Sequence, residues 1–192
     1  MSPRLGSILI ACARCTLGNA TSSRFCVQCG LPLGAGLADA GAAADAIDPY
    51  ETPEPADPDV ARAIREFVNR SGFETSPSGH GWRIVVPARL DRKQAVYVGP
   101  GGIDPEGRSI LGLVSVCAPA NDRDCRILLK MNARVIGGRF AIRVLRGEEY
   151  FVVAENIPIE SAPSTDAHRL VRNIANMADS LEDRLSRGRD LY

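Results

Sequence analysis

Four of the six cysteines of this 192-residue chain lie between Cys12 and Cys29, as two C-x2-C pairs, Cys12/Cys15 and Cys26/Cys29, separated by ten residues. Within a C-x2-C turn both sulfurs can converge on one ion, and two such turns complete a tetrahedron of thiolates. Gly30, directly after the last cysteine, permits a tight backbone turn. A segment this small buries too little apolar area to offset its chain entropy, so covalent or coordinate bonds must hold it. Structural zinc contributes on the order of 10 kcal/mol in such peptides. Disulfides are the competing reading, but they suit exported chains, and the longest early apolar run, Ile8 to Ala11, is too short for an export signal. One Zn2+ held by Cys12, Cys15, Cys26 and Cys29 is therefore expected. Four thiolates leave no open coordination position, which makes the site structural and not catalytic.

Residues 1–31 are accordingly read as a zinc ribbon. The run Phe25-Cys26-Val27-Gln28-Cys29-Gly30 resembles the ending of ribbons found at the start of bacterial proteins, over about the first thirty residues. Such ribbons bind nucleic acid in some proteins and protein in others. Here Arg14 and Arg24 are the only charged residues between Cys12 and Cys29, and Phe25 is the only aromatic. Through Glu54 the bases Arg4, Arg14 and Arg24 face Asp39, Asp45, Asp48, Glu51 and Glu54, so counterion release offers little affinity and a nucleic-acid partner is disfavoured.

Residues 32–56 are rich in Ala, Gly, Pro and acidic side chains, with almost no large apolar residue to pack. They read as a flexible linker, stiffer toward its proline-rich end. A helix over Ala38 to Ile47 competes with that reading but has little to anchor it.

The third region, 57–192, opens on a helix signal: Asp57 as cap, Pro58 at the first helical position and Asp59 in the first turn. Val60, Ile64, Phe67 and Val68 share one face, and Gly72 ends the helix. Strands are expected around 82–86, 94–98 and 109–116, with turns at Pro87 to Lys93 and Gly99 to Arg108. Asn121 or Asp122 then caps a short helix to Asn132, with Cys125, Leu128 and Leu129 on one face. After Gly137-Gly138, Phe140, Ile142 and Val144 alternate with Arg139, Ala141 and Arg143, and Tyr150-Phe151-Val152-Val153 follows the turn at Arg146-Gly147-Glu148. That is a hairpin from about Arg139 to Glu155. A last helix from about Asp166 to Arg187 carries Leu170, Ile174, Met177, Ala178, Leu181 and Leu185 as its stripe. The fold class expected is α+β: a small zinc ribbon plus an α-β-β-β-α-β-β-α domain with a mainly antiparallel sheet.

That element order, with Leu128-Leu129-Lys130-Met131-Asn132-Ala133-Arg134, the Gly-Arg-Phe-Ala-Ile run at Gly138 to Ile142 and Arg172-Asn173-Ile174-Ala175 in the last helix, resembles the YbjN family. That family shares the fold of type III secretion chaperones. The match covers roughly Asp57 to Arg187. It implies a homodimer that binds a protein client without catalysis, and by analogy it places the dimer contacts on the helix around Cys125 to Met131 and the neighbouring strand. The zinc ribbon and its linker depart from the pattern of secretion chaperones.

Lys+Arg and Asp+Glu both number 23, so no net charge draws the chain to nucleic acid or an anionic membrane. No apolar run is long enough to span a bilayer, and a cytoplasmic protein is expected. His80 and His168 have no nucleophile or carboxylate partner evident in sequence. Gly99-Pro100-Gly101-Gly102 lacks the Gly-Lys-Ser/Thr ending of a phosphate loop and reads as a turn. Asp104, Glu106, Asp122 and Asp124 lack EF-hand spacing, and Cys117 and Cys125 read as small buried residues. The expected function is a chaperone or adaptor; the alternative is a zinc-ribbon regulator of nucleic acid dimerised by its C-terminal domain.

Overall fold

The computed structural model describes residues 9–11, 17–20, 48–50, 57–88 and 92–187. The chain divides into two units, Met1–Ala43 and Ala44–Tyr192. In the first, strands β1 (Leu9–Ala11) and β2 (Gly18–Ala20) pair antiparallel, Ile10 opposite Asn19. The connection between them carries Cys12 and Cys15 in sequence. All four expected zinc ligands, Cys12, Cys15, Cys26 and Cys29, lie outside the described residues, as does most of the 32–56 linker.

The second unit is α+β. Helix α1 (Pro58–Ser71) starts where Asp57 accepts a hydrogen bond from the Asp59 amide at 2.8 Å, and it ends at Gly72 with φ of 72°. Strands β3 (Glu74–Ser78), β4 (Gly81–Pro87), β5 (Lys93–Ile103) and β6 (Ser109–Pro119) follow, then helix α2 (Asp122–Asn132), strands β7 (Arg139–Leu145) and β8 (Glu148–Pro158), a 3-10 turn (Ile159–Ser164) and helix α3 (Ala167–Arg187). The six strands form one sheet in the order β3-β4-β5-β6-β8-β7, every pairing antiparallel.

Two expectations are corrected here. The element order gains a strand, β3, absent from the α-β-β-β-α-β-β-α reading. Its sequence, Glu-Thr-Ser-Pro-Ser, has no apolar alternation because it is an edge strand with no fully buried residue, the setting in which Pro77 is tolerated. The run Gly99-Pro100-Gly101-Gly102 is also strand rather than turn. β5 runs on to Ile103 with a register irregularity between Pro100 and Ile103, and the reversal falls at Asp104 to Gly107.

The core lies between the sheet and helices α1 and α3. Val60, Ile64, Phe67 and Val68 of α1 meet Val171, Ile174, Ala178 and Leu181 of α3 and Ile84, Val86, Val96, Leu111, Leu113 and Val153 of the sheet. The stripe read for α1 is the buried one, and that of α3 gains Val171 and Ala175. Arg70 joins α1 to the turn before α3, donating to the carbonyls of Ala162, Pro163 and Thr165 at 2.7, 3.2 and 3.0 Å. The opposite sheet face holds a second buried cluster that includes Tyr97, Val114, Tyr150, Val152 and, from the linker segment, Tyr50. Tyr50, within the stretch 32–56 expected to be a linker, is 7% exposed and belongs to the second unit.

Candidate protein-binding surface

Large apolar side chains in solvent single out one region. Among the described residues Ile127, Leu129, Ile136, Ile142 and Val144 are 44% to 94% exposed, and all belong to the run from α2 through β7; the sixth such described residue, Ile103, is in the β5–β6 hairpin. Scattered singly such residues need no explanation, but five on adjoining elements make this run the candidate interaction surface.

The local sequence builds this surface. Asn121 caps α2 by accepting from the Asp124 amide, and Leu128 anchors the helix in the core. Leu129, expected on the buried face with Leu128, is 70% exposed, since a residue one step along a helix turns by about 100° away from its neighbour. Gly137 and Gly138 supply the positive φ angles, 73° and 83°, that turn the chain into β7. This turn is tied down on both sides: the Asn173 amide of α3 donates to the Gly137 carbonyl at 3.0 Å, and the Gly138 amide donates to the Glu155 carboxylate of β8.

Asn132, the last residue of α2, holds β7 directly. Its side chain donates to the Phe140 carbonyl at 2.9 Å and accepts from the Phe140 amide at 2.7 Å. Phe140 therefore directs its backbone groups away from β8. Backbone groups alternate along an antiparallel strand, so Ile142 and Val144 present theirs outward as well, on the side of β7 that pairs with no strand among the described residues. Phe140 packs in the helix-side core with Leu128, which places Ile142 and Val144 on that same side, beyond the helices. The intervening residues serve the other face: Leu145 and Ala141 join the second cluster, and the Arg143 guanidinium lies 5.8 Å from the Tyr50 ring centre. The opposite edge, β3, is blunted by Pro77 and by its shortness.

The other described residues singled out from sequence are dispersed over the second unit. His168 is built into the fold: its Nδ1 is 2.7 Å from the Ser71 carbonyl and its ring stacks on Phe73 at 4.5 Å. His80 sits in the β3–β4 turn. Asp104 and Glu106 pair with Arg108 at 2.6 and 2.9 Å in the β5–β6 reversal, whereas Asp122 and Asp124 belong to the first turn of α2. Cys117 is buried, and burial, reinforced by Glu182, pushes its thiol well above the usual range; Cys125 is half-buried with its Sγ 3.2 Å from the Asn121 carbonyl. Among the described residues no group of three or more His, Cys, Asp or Glu could hold a metal ion, and no helix is long and apolar enough to cross a membrane. Ile136 and the clamp by Asn132 escaped the sequence reading; an asparagine ending a helix just before a Gly-Gly break is the signal that points to the clamp.

Comparison with known proteins gives no match to any family model, any curated protein or any solved structure.

Proposed function

We propose that this chain is a non-enzymatic protein-binding module of the cytoplasm, a chaperone or adaptor that works as a homodimer and holds a protein client. The observation that carries this reading is the apolar surface of α2 and β7 beside an open strand edge. An edge strand with outward N–H and C=O groups offers backbone pairing, and neighbouring apolar side chains add buried area, which is the chemistry of strand-addition interfaces. The sheet with helices on one face and a short helix leading into the last hairpin supports the likeness to secretion chaperones. In this reading a second copy docks on α2 and β7, and the N-terminal zinc ribbon, with one Zn2+ on Cys12, Cys15, Cys26 and Cys29, is an accessory interaction element.

The test is co-purification from native cell extract of the full chain, a Cys26→Ser/Cys29→Ser variant and a Leu129→Asp/Val144→Asp variant. A specific partner kept by the cysteine variant and lost from the second supports the reading. A partner lost only with the cysteines makes the ribbon the recognition element and overturns it.

A further inference from the structure

The sheet face opposite the helices carries a small, fully furnished site around Asp48–Tyr50. The Tyr50 ring lies across Gly99 and Gly112, which are directly paired between β5 and β6. A Cβ on Gly99 would sit 2.6 Å from the ring's Cγ, and one on Gly112 would sit 2.5 Å from the hydroxyl oxygen. Neither glycine has a positive φ, so it is the ring and not the backbone that requires them. Gly79, in the β3–β4 turn with φ of 51°, leaves room for the rest of the segment: a Cβ there would meet the Tyr50 carbonyl at 2.7 Å and the Asp48 carboxylate at 2.8 Å.

Polar contacts complete the site. The Ser78 hydroxyl donates to Asp48 Oδ2 at 2.7 Å, the Tyr50 amide donates to Asp48 Oδ1 at 2.8 Å, and the His80 amide donates to the Tyr50 carbonyl at 3.4 Å. Arg143 of β7 faces the ring. Carboxylate, carbonyl and aromatic ring are thus each met by a separate feature of the sheet, which is how short linear segments are read. The Tyr50 hydroxyl is buried with no well-formed hydrogen bond, and Arg143 is the charged group that acts on it.

We propose that the β3–β4 turn and the Gly99–Gly112 floor form a docking site for a short Asp-x-aromatic segment, and that Asp48–Tyr50 fills it as an exchangeable strap. Apart from the Arg143 guanidinium over its ring, the strap's described polar contacts fall within itself or on Ser78 and His80, where β3 turns into β4, so it can leave without unpairing a strand. Residues 51–56 join it in sequence to Asp57 and α1, a short tether that gives it an effective concentration in the millimolar range, enough to exclude a weak competitor in trans. This inference is independent of the α2–β7 reading.

The test is fluorescence anisotropy of a labelled peptide spanning residues 44–54 against the full chain. The peptide is expected to bind a Tyr50→Ala chain about tenfold or more tighter than the wild type, whose site is filled in cis. Adding Ser78→Ala to that chain should weaken binding about threefold or more, and a peptide with alanine in place of Tyr50 should not bind. Equal binding to both chains, or none to either, overturns the proposal. A Tyr50→Ala chain that loses its cooperative thermal transition also overturns it, since Tyr50 would then be an integral core residue.

Discussion

Asn132 grips Phe140 by both its backbone groups, accepting from the amide at 2.7 Å and donating to the carbonyl at 2.9 Å. One side chain thereby closes the start of an edge strand and fixes α2 against it. Asn132→Ala removes two hydrogen bonds and leaves the Phe140 amide and carbonyl partly buried without partners. A loss of about 2 kcal/mol is expected by urea unfolding, with faster amide exchange at Phe140. Asn132→Asp should retain the accepted bond and lose less.

Tyr50 makes stability depend on alkaline pH. Burial raises its pKa from 10.0 to about 12, against the opposing pull of Arg143. In the unfolded chain the phenol ionises near 10 while the folded chain keeps its proton, so the unfolded state binds fewer protons between these values and stability falls as pH rises through that window. The contribution is fully present below pH 10 and is lost as pH rises through about 12, roughly 2–3 kcal/mol in all. Tyr50→Phe should abolish this part of the pH dependence. Because it also removes a buried hydroxyl with no well-formed hydrogen bond, it should not lower stability at pH 7, read by thermal unfolding.

Arg70 is a geometric fixture more than a charge. Its guanidinium serves three carbonyls of the 3-10 turn and the residue after it, and only a planar fork with several donors can reach all three. Arg70→Lys keeps the charge and should still cost about 1–2 kcal/mol in chemical denaturation. An unchanged midpoint would show that the three bonds are not used in solution.

Zinc removal should act on one unit alone. Protein purified without chelator is expected to carry one zinc per chain, and Cys26→Ser/Cys29→Ser should lose it. Since the larger unit has its own apolar core, its thermal transition should stay unchanged after metal removal. A metal content well below one per chain would remove the ribbon from the account.

Helices and the last hairpin were legible in the sequence because their signals are local. Asp57-Pro58, Gly72 and the 60/64/67/68 stripe define α1, and Arg146-Gly147 turns the hairpin with both residues at positive φ, 52° and 80°. What escaped depends on distant partners. Gly99 to Gly102 reads as a loop because the sequence cannot show that an aromatic ring from Tyr50 supplies the side chain missing at Gly99 and Gly112. β3 has too little burial to imprint an alternation, and Leu129 sits one step from a buried leucine, where a short helix gives the periodicity too few turns to be read.

The most direct test of the account is sedimentation equilibrium of the full chain beside an Ile142→Asp/Val144→Asp variant across a wide concentration range. These residues stand on the exposed side of β7 and make no contribution to either buried cluster, so the variant should fold. The account predicts a wild-type dimer and a folded, monomeric variant. A wild-type chain that stays monomeric throughout, or a variant that dimerises as the wild type does, would contradict it.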